Sequence, residues 1–449
     1  MKKPYEKPVI VKLQMGFVSK AGVSALDKLV RTEIDGVSVD ELVERFGSPL
    51  FVFSERRILD RIKYAKAVFE GYYPHVEFSW SYKTNYLDAI CAIFHRQGFT
   101  AEVVSDFEYE KAKRLGVPGD KIIFNGPFKP KSVLERAVSE GARVNIDSFE
   151  EIALLEEIAG NMGKTVSVGI RINMDTGVRP QWQRFGFNLE SGQAMDAVKR
   201  IAAGGKLTIS GLHCHQGTFI LDADAYRIEV EKMLSFAAEL ERTFGFEIEY
   251  IDIGGGFPSK SRLKGVYLPT DVVVPSLKEY AERIGMAFIS RMEKPHSPYR
   301  LVIESGRALI DEAGFLVATV LSVKRLPDGT RAYVIDAGVN LLYTSYWYHF
   351  NVEVSRAVSG TFEPSVIYGP LCMNIDVIEE SVMLPPLNPG DKLILSPVGA
   401  YNVTQWMQFI TYRPSVVLIR EDGRVDVIRE RESLNDIVAR ERLPEDLKL

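Results

Sequence analysis

One repeated pattern constrains this chain more than any other. From about residue 50 to Arg307, a short apolar run is followed by a stretch with helical spacing of apolar residues, about eight times over. PLFVF precedes SERRILDRIKYAKAVFEGYY, VEFSWSYK precedes NYLDAICAIFHRQG, and TAEVVS precedes DFEYEKAKRLG. KIIFNGP, RVNID, TVSVGIRIN, LTISGLHCHQG, IEYIDIGGGFP and YRLVIESGR continue the series. Strands that alternate with helices build a parallel sheet, and about eight such units over roughly 250 residues suit a closed (β/α)8 barrel.

After Arg307 the texture changes. FLVATVLSVKRL, RAYVIDAG, DKLILSPVG and SVVLIRE are short β-rich runs separated by turn signals such as PDG and NPGD. They predict a second, mostly antiparallel β-domain. A chain of 449 residues exceeds one ordinary core, so two domains are expected. The expected division is an N-terminal arm over 1–45 that joins the β-domain, a barrel over 46–315 and a β-domain over 316–449.

Composition excludes several classes of function. A hydrophobic share of 46% with 26% charged residues describes a globule, not a disordered chain. A net charge of −5 offers no electrostatic case for nucleic acid or an anionic membrane, and no apolar run reaches the length of a membrane span. Cys91, Cys214 and Cys372 stand far apart, without metal-site or disulfide spacing, which fits a reducing, cytoplasmic setting and no metal. The N-terminal MKKPYEKPVIVKLQMG lacks the long apolar core of a secretory signal.

Barrel chemistry sits at the C-terminal ends of the strands. Those positions carry Lys83, Ser105 to Glu108, Asn125 to Pro127, Arg171, His213 to Thr218, Gly254 to Gly256 and Glu304 to Arg307. Three glycines after a strand let backbone N–H groups approach a phosphate closely, and Arg307 adds a planar fork for the same group. A phosphate cradle, an amine, an imidazole and a carboxylate in one barrel mouth fit pyridoxal phosphate, with Lys83 as the Schiff-base lysine.

With these motifs in place, the chain resembles the fold-type III pyridoxal-phosphate decarboxylases, the group that contains diaminopimelate, ornithine and arginine decarboxylases. The resemblance runs from about residue 45 to 430 in the family's order. It implies that Lys83, in SYKTN, holds the cofactor, and that His215, in HQGT, stacks on its ring with Thr218 in place of the usual serine. It implies Gly254, Gly255 and Gly256 as the phosphate loop. In ESGR, Glu304 would face the pyridine nitrogen and Arg307 the phosphate, with Gly306 between them. Glu108 and Arg171 are further cofactor-side candidates. In the second domain, YGPLCMNID makes Cys372 the catalytic thiol and Asp376 a substrate-side acid, and GAYN makes Tyr401 a phosphate contact. The family's cysteine motif reaches the partner's site, which implies a homodimer with shared active sites.

The resemblance implies α-decarboxylation, with diaminopimelate as the first substrate to consider. Two departures bear on that choice. Met373 follows Cys372 where diaminopimelate decarboxylases carry an acid, and Thr344 stands where they carry an arginine. Arg179 or Arg184 would have to compensate, and Tyr348 stands at the family's tyrosine. The alternative is an amino-acid group on a larger natural-product intermediate, such as a siderophore precursor, a carrier-protein thioester or a microcin-C-like conjugate, with Tyr343, Tyr346, Trp347 and Tyr348 lining the pocket. Two other readings fit less well. A racemase would place an arginine at the ring nitrogen, and a non-catalytic regulator would not need these cofactor ligands.

Overall fold

The computed structural model describes residues 29–291 and 299–449, so most of the expected N-terminal arm, residues 1–28, lies outside the described residues. Eight parallel strands close into a ring in chain order: Val76–Ser81, Thr100–Val103, Ile122–Phe124, Arg143–Ile146, Val166–Asn173, Leu207–His213, Tyr250–Asp252 and Arg300–Ser305. The eighth pairs with the first, Glu304 opposite Ser79, and closes the barrel. These strands are short and buried on both faces, because side chains fill the inside and helices cover the outside. Trp80 of the first strand stacks on Phe94 of the following helix with ring centroids 3.6 Å apart.

The helices start and stop where local chemistry dictates. Ser54, Ser105 and Ser148 each accept a backbone N–H in the first turn of the helix that follows, satisfying donors that the helix leaves unpaired. Gly163, Gly205 and Gly245 end their helices in the left-handed conformation. No helix among the described residues is long and apolar enough to cross a membrane.

The second sheet has nine strands, and most of its pairings are antiparallel. One member corrects the expected division of the chain. Leu50–Ser54, read above as opening the barrel, pairs with Gly314–Arg325 and Val416–Ile419 in this second sheet. All five of its residues are buried. An apolar run this short is compatible with either sheet, and only the pairing partners decide. The barrel strands therefore begin at Val76, after the helix Glu55–Tyr72. The segment from residue 30 onward also belongs here: Ile34, Val39 and Leu42 pack on Leu50, Val52, Phe315 and Val417.

The sheet meets the barrel at a close backbone approach. Gly399 donates its N–H to Asp311 O at 3.0 Å, and Val398 donates to Gly314 O at 3.1 Å. A Cβ on Gly399 would lie 2.1 Å from Ile310 O, closer than any real contact. Two residues on, Tyr401 (φ 64°) donates its N–H to Thr84 O at 2.9 Å, beside Lys83. The junction thus sets the mouth of the barrel. Gly399→Ala is expected to lower the unfolding free energy by about 1–3 kcal/mol, the usual penalty of overpacking. Urea denaturation checks this, and an unchanged midpoint would remove the close approach as a constraint.

Candidate active site

A cavity of about 560 Å³ opens at the C-terminal ends of the strands, between the barrel and the second sheet. The first strand ends at Ser81, and the turn Tyr82–Thr84 aims Lys83 into it. The turn is clamped from the second domain, since Thr404 Oγ1 donates to Lys83 O at 2.9 Å. The Lys83 side chain is 33% exposed, onto the cavity, and its Nζ donates to Glu102 of the second strand. Burial opposes the ammonium, but Glu102, then Glu304 and Tyr401, outweigh it and push Lys83 above the ordinary lysine range.

Glu304 comes from the eighth strand. Its Oε1 accepts from Asn125 Nδ2, and its Oε2 lies 3.3 Å from His213 Nε2. Burial alone would raise this carboxyl, yet His213, with Lys83 and His215 behind it, holds it well below the usual carboxylate range. It is a buried anion at the floor of the cavity.

His215 lines the cavity wall. Its Nδ1 accepts the N–H of Gly255 at 3.0 Å, and Trp182 meets its ring edge-on at 5.5 Å. Burial first, then Lys83 and Arg171, drop its pKa to about 3, so the ring is a neutral imidazole. The glycine triplet is required by space. A Cβ on Gly255 would lie 2.3 Å from Glu304 O, and one on Gly256 (φ +90°) 2.4 Å from Gly217 O. Arg307 sits between aromatic rings, 4.7 Å from the centroid of Tyr348 and 4.8 Å from that of Tyr401, with Asp311 at 3.4 Å from Nη1. Its Nε is buried and has no hydrogen-bond partner among the described residues.

Of the residues singled out in the sequence, Lys83, Arg171, His215, Thr218, Gly256, Glu304, Arg307, Tyr348 and Tyr401 line this one cavity. The others lie elsewhere. Gly254 and Gly255 form the turn behind His215, and Gly306 packs against Thr84, where a Cβ would meet Oγ1 at 2.2 Å. Glu108 caps its own helix, accepting the N–H of Val104 at 2.8 Å. Arg184 lies over the ring of Phe185 at 4.7 Å. Asp376 turns both oxygens to backbone, accepting from Val339 N at 2.7 Å and Leu371 N at 2.8 Å. Cys372 is exposed and does not line the cavity of its own chain. Of the aromatic cluster, Trp347 and Tyr348 reach the cavity, whereas Tyr343 and Tyr346 do not.

Three polar residues around Lys83 and Glu304 have no role assigned from the sequence. Glu102 lies inside a strand and not at its end, and its signal is a lone carboxylate in the apolar run TAEVV. Asn125 and His213 stand at strand ends already noted, but their partner, Glu304, is distant in sequence.

The site fits a flat, phosphate-bearing cofactor. It offers a glycine turn that no larger residue could form, a guanidinium whose Nε lacks an acceptor, a buried carboxylate and an amine on one cavity. Comparisons agree. Residues 56–311 match the family described as pyridoxal-dependent decarboxylase, pyridoxal binding domain. The diaminopimelate decarboxylase of Methanocaldococcus jannaschii is 33% identical over 92% of this chain and 95% of its own. That of Archaeoglobus fulgidus is 30% identical over 92% and 97%. The crystal structure of the M. jannaschii enzyme in complex with L-lysine superposes with a TM-score of 0.83 at 30% identity, covering 93% of this chain and 97% of that one.

Burial, with Glu102 adding its charge, raises Glu108 to about 7 against the opposing Val104 N–H and Lys83. Between pH 4.5 and about 7 the native state therefore binds more protons than the unfolded chain, and this group's contribution to stability falls as pH rises. Glu108→Gln should flatten that slope, by on the order of 3 kcal/mol across the window. Denaturation midpoints of both proteins at a series of pH values check it. Parallel pH curves would sink the assignment.

Proposed function

Because the chain belongs to the pyridoxal-dependent decarboxylase family and takes pyridoxal phosphate as its cofactor, we propose that this cavity carries its amino-acid decarboxylation, with Lys83 as the cofactor-binding amine. The observation that carries the reading is the placement of Lys83 and anionic Glu304 on one cavity beside the glycine turn and Arg307. When bound, the cofactor supplies an electron sink for the pair left behind as the α-carboxylate departs as carbon dioxide. Lys83 would hold the cofactor, and its amine on the cavity beside Glu102 would be the group able to move a proton there. Glu304, kept anionic, would favour a proton on the ring nitrogen. Neutral His215 would lie along the ring, and Arg307 would direct its unpartnered Nε to the phosphate near Tyr401. Glu108 and Arg171 support this arrangement from behind: Glu108 holds the Val104 N–H, and Arg171 pairs with Asp147 at 3.2 Å.

The site is completed, in this reading, by a second copy of the chain. Cys372 is exposed on a loop outside its own cavity, and Phe128 (75%) and Ile375 (67%) are large apolar side chains left open. A homodimer that brings Cys372 to the neighbour's cavity would supply the proton that replaces the carboxylate. The three free cysteines favour a reducing compartment such as the cytoplasm.

The named relatives act on diaminopimelate, and that substrate is the first to test. One observation favours a substrate without a second free carboxylate. The cations on the cavity already face carboxylates of this chain: Lys83 faces Glu102, Arg171 faces Asp147 and Arg307 faces Asp311. Thr344 turns its hydroxyl to Asn402 Oδ1 at 2.9 Å, and Trp182, Phe185, Trp347 and Tyr348 form apolar walls. An amino-acid group on a larger molecule suits such walls.

Two experiments test these readings. Lys83→Ala is expected to abolish both the visible absorbance of the loaded cofactor and all carbon dioxide release, and residual release would remove Lys83 from its role. In mass spectrometry of products from meso-diaminopimelate, L-lysine, L-ornithine and L-arginine, rapid lysine formation would establish diaminopimelate as a substrate. Silence on all four with an intact cofactor band supports the larger conjugate. For the dimer, mixing Lys83→Ala with Cys372→Ala subunits should restore part of the activity, whereas no recovery would mean that each chain is self-sufficient.

A further inference from the structure

At the floor of the cavity, His213, Asp252 and Glu304 come from three successive barrel strands. His213 is directly opposite Asp252, and Asp252 is opposite Val302, two residues before Glu304. One nitrogen of His213 and one oxygen from each carboxyl lie within 4.8 Å of one another, and all three residues are buried. The two carboxyls have unequal surroundings. Glu304 has Asn125 and His213 at its oxygens and Lys83 nearby. Asp252 Oδ1 accepts the N–H of Gly254 at 2.9 Å, while its Oδ2 is buried with no partner among the described residues.

A buried anionic oxygen without a donor is costly, and two carboxylates this close do not both ionise cheaply. Burial first, and then the charge of Glu304, drive Asp252 toward its protonated form, with Arg143 the opposing cation. The remaining charged or titratable neighbours, Lys83 and His215, act on the Glu304 side. Three such donors also resemble a metal-ligand set, but Asn125 and His213 already occupy the two oxygens of Glu304. A proton on Asp252 Oδ2 resolves both features: it removes the unpaired charge, and it turns an oxygen with no partner into a donor.

We propose that Asp252 is a buried neutral carboxylic acid whose Oδ2–H donates to Glu304, and that with His213 it sets the charge and position of the carboxylate that faces the cofactor. Asp252 is a positioning residue, acting through Glu304, and its role rests on the reading that Glu304 serves the ring nitrogen. The proton belongs to Asp252 whether or not cofactor is bound.

The test is infrared difference spectroscopy of the full-length protein at neutral pH, loaded with pyridoxal phosphate and again without it. Subtracting Asp252→Asn from the unsubstituted protein should reveal the carbonyl stretch of one protonated carboxyl. A band that survives in Asp252→Asn but vanishes in Glu304→Gln would overturn the proposal, as would no band at all. The second readout is cofactor affinity. Asp252→Ala, which removes the donor without adding volume, is expected to weaken pyridoxal phosphate binding about tenfold, and Asp252→Asn, which keeps an N–H, to recover most of it. Equal affinities for the two variants would reduce Asp252 to a packing role and overturn the proposal. Should the protein fail to take up pyridoxal phosphate at all, the cofactor reading falls, and the infrared band of the free protein still decides the proton on Asp252.

Discussion

The site depends on one buried electrostatic arrangement, an amine held between two carboxylates at the mouth of a closed barrel. Lys83 cannot be a solvated surface charge, because its turn is pinned by Thr404 and Tyr401 from the second domain and its Nζ is directed at Glu102. Such an arrangement needs both carboxylates within the same ring of strands. Barrel closure provides this: the pairing of the eighth strand with the first brings Glu304 to the strand that carries the Lys83 turn, while the second strand brings Glu102 from the other side. Opening that ring would separate the charges and leave each of them buried and unpaired.

The second domain then acts as part of the site rather than as an appendage. The close approach at Gly399 places Tyr401 in a left-handed conformation over Thr84, and its ring lies against Arg307. Tyr348, from the same domain, also lies against the guanidinium, with its ring centroid at 4.7 Å. A planar cation held against two aromatic rings keeps its fork in one orientation, which Lys at this position would not do. The strand pair Arg262–Leu263 with Tyr348–His349 ties a barrel loop to the second domain at the same place.

Much of this is legible in the amino-acid sequence. The alternation of apolar and helix-spaced runs implied the barrel, because eight strand-and-helix units have few other compact solutions. The strand ends pointed to Lys83, His215, Glu304 and Arg307. What the sequence concealed follows from one physical fact, that periodicity reports burial and not partners. Leu50–Ser54 has the apolar run of a barrel strand, yet it pairs with strands beyond residue 314. Asp376 and Glu108 have the composition of site residues, yet their carboxylates are occupied by nearby backbone N–H groups. Glu102 could have been noticed as a carboxylate inside a strand that is buried throughout, since such a residue needs a partner.

The same reasoning separates cofactor chemistry from substrate choice. The cofactor end of the cavity gathers its charges from the barrel strands and the turns that follow them, where backbone register places them side by side. The far end is built from Trp182 and Phe185 on one loop, Leu263 on another, and Thr344, Trp347 and Tyr348 of the second domain. None of these contributes a charge. The contacts that this wall offers are of shape and apolar surface, where a methylene is worth about 1–3 kcal/mol. A wall of that kind selects by shape, and the cations that line the cavity, Lys83, Arg171 and Arg307, each face an acid of this chain. The cavity thus takes its charges from the barrel and its apolar wall from the loops and the second domain that close over it.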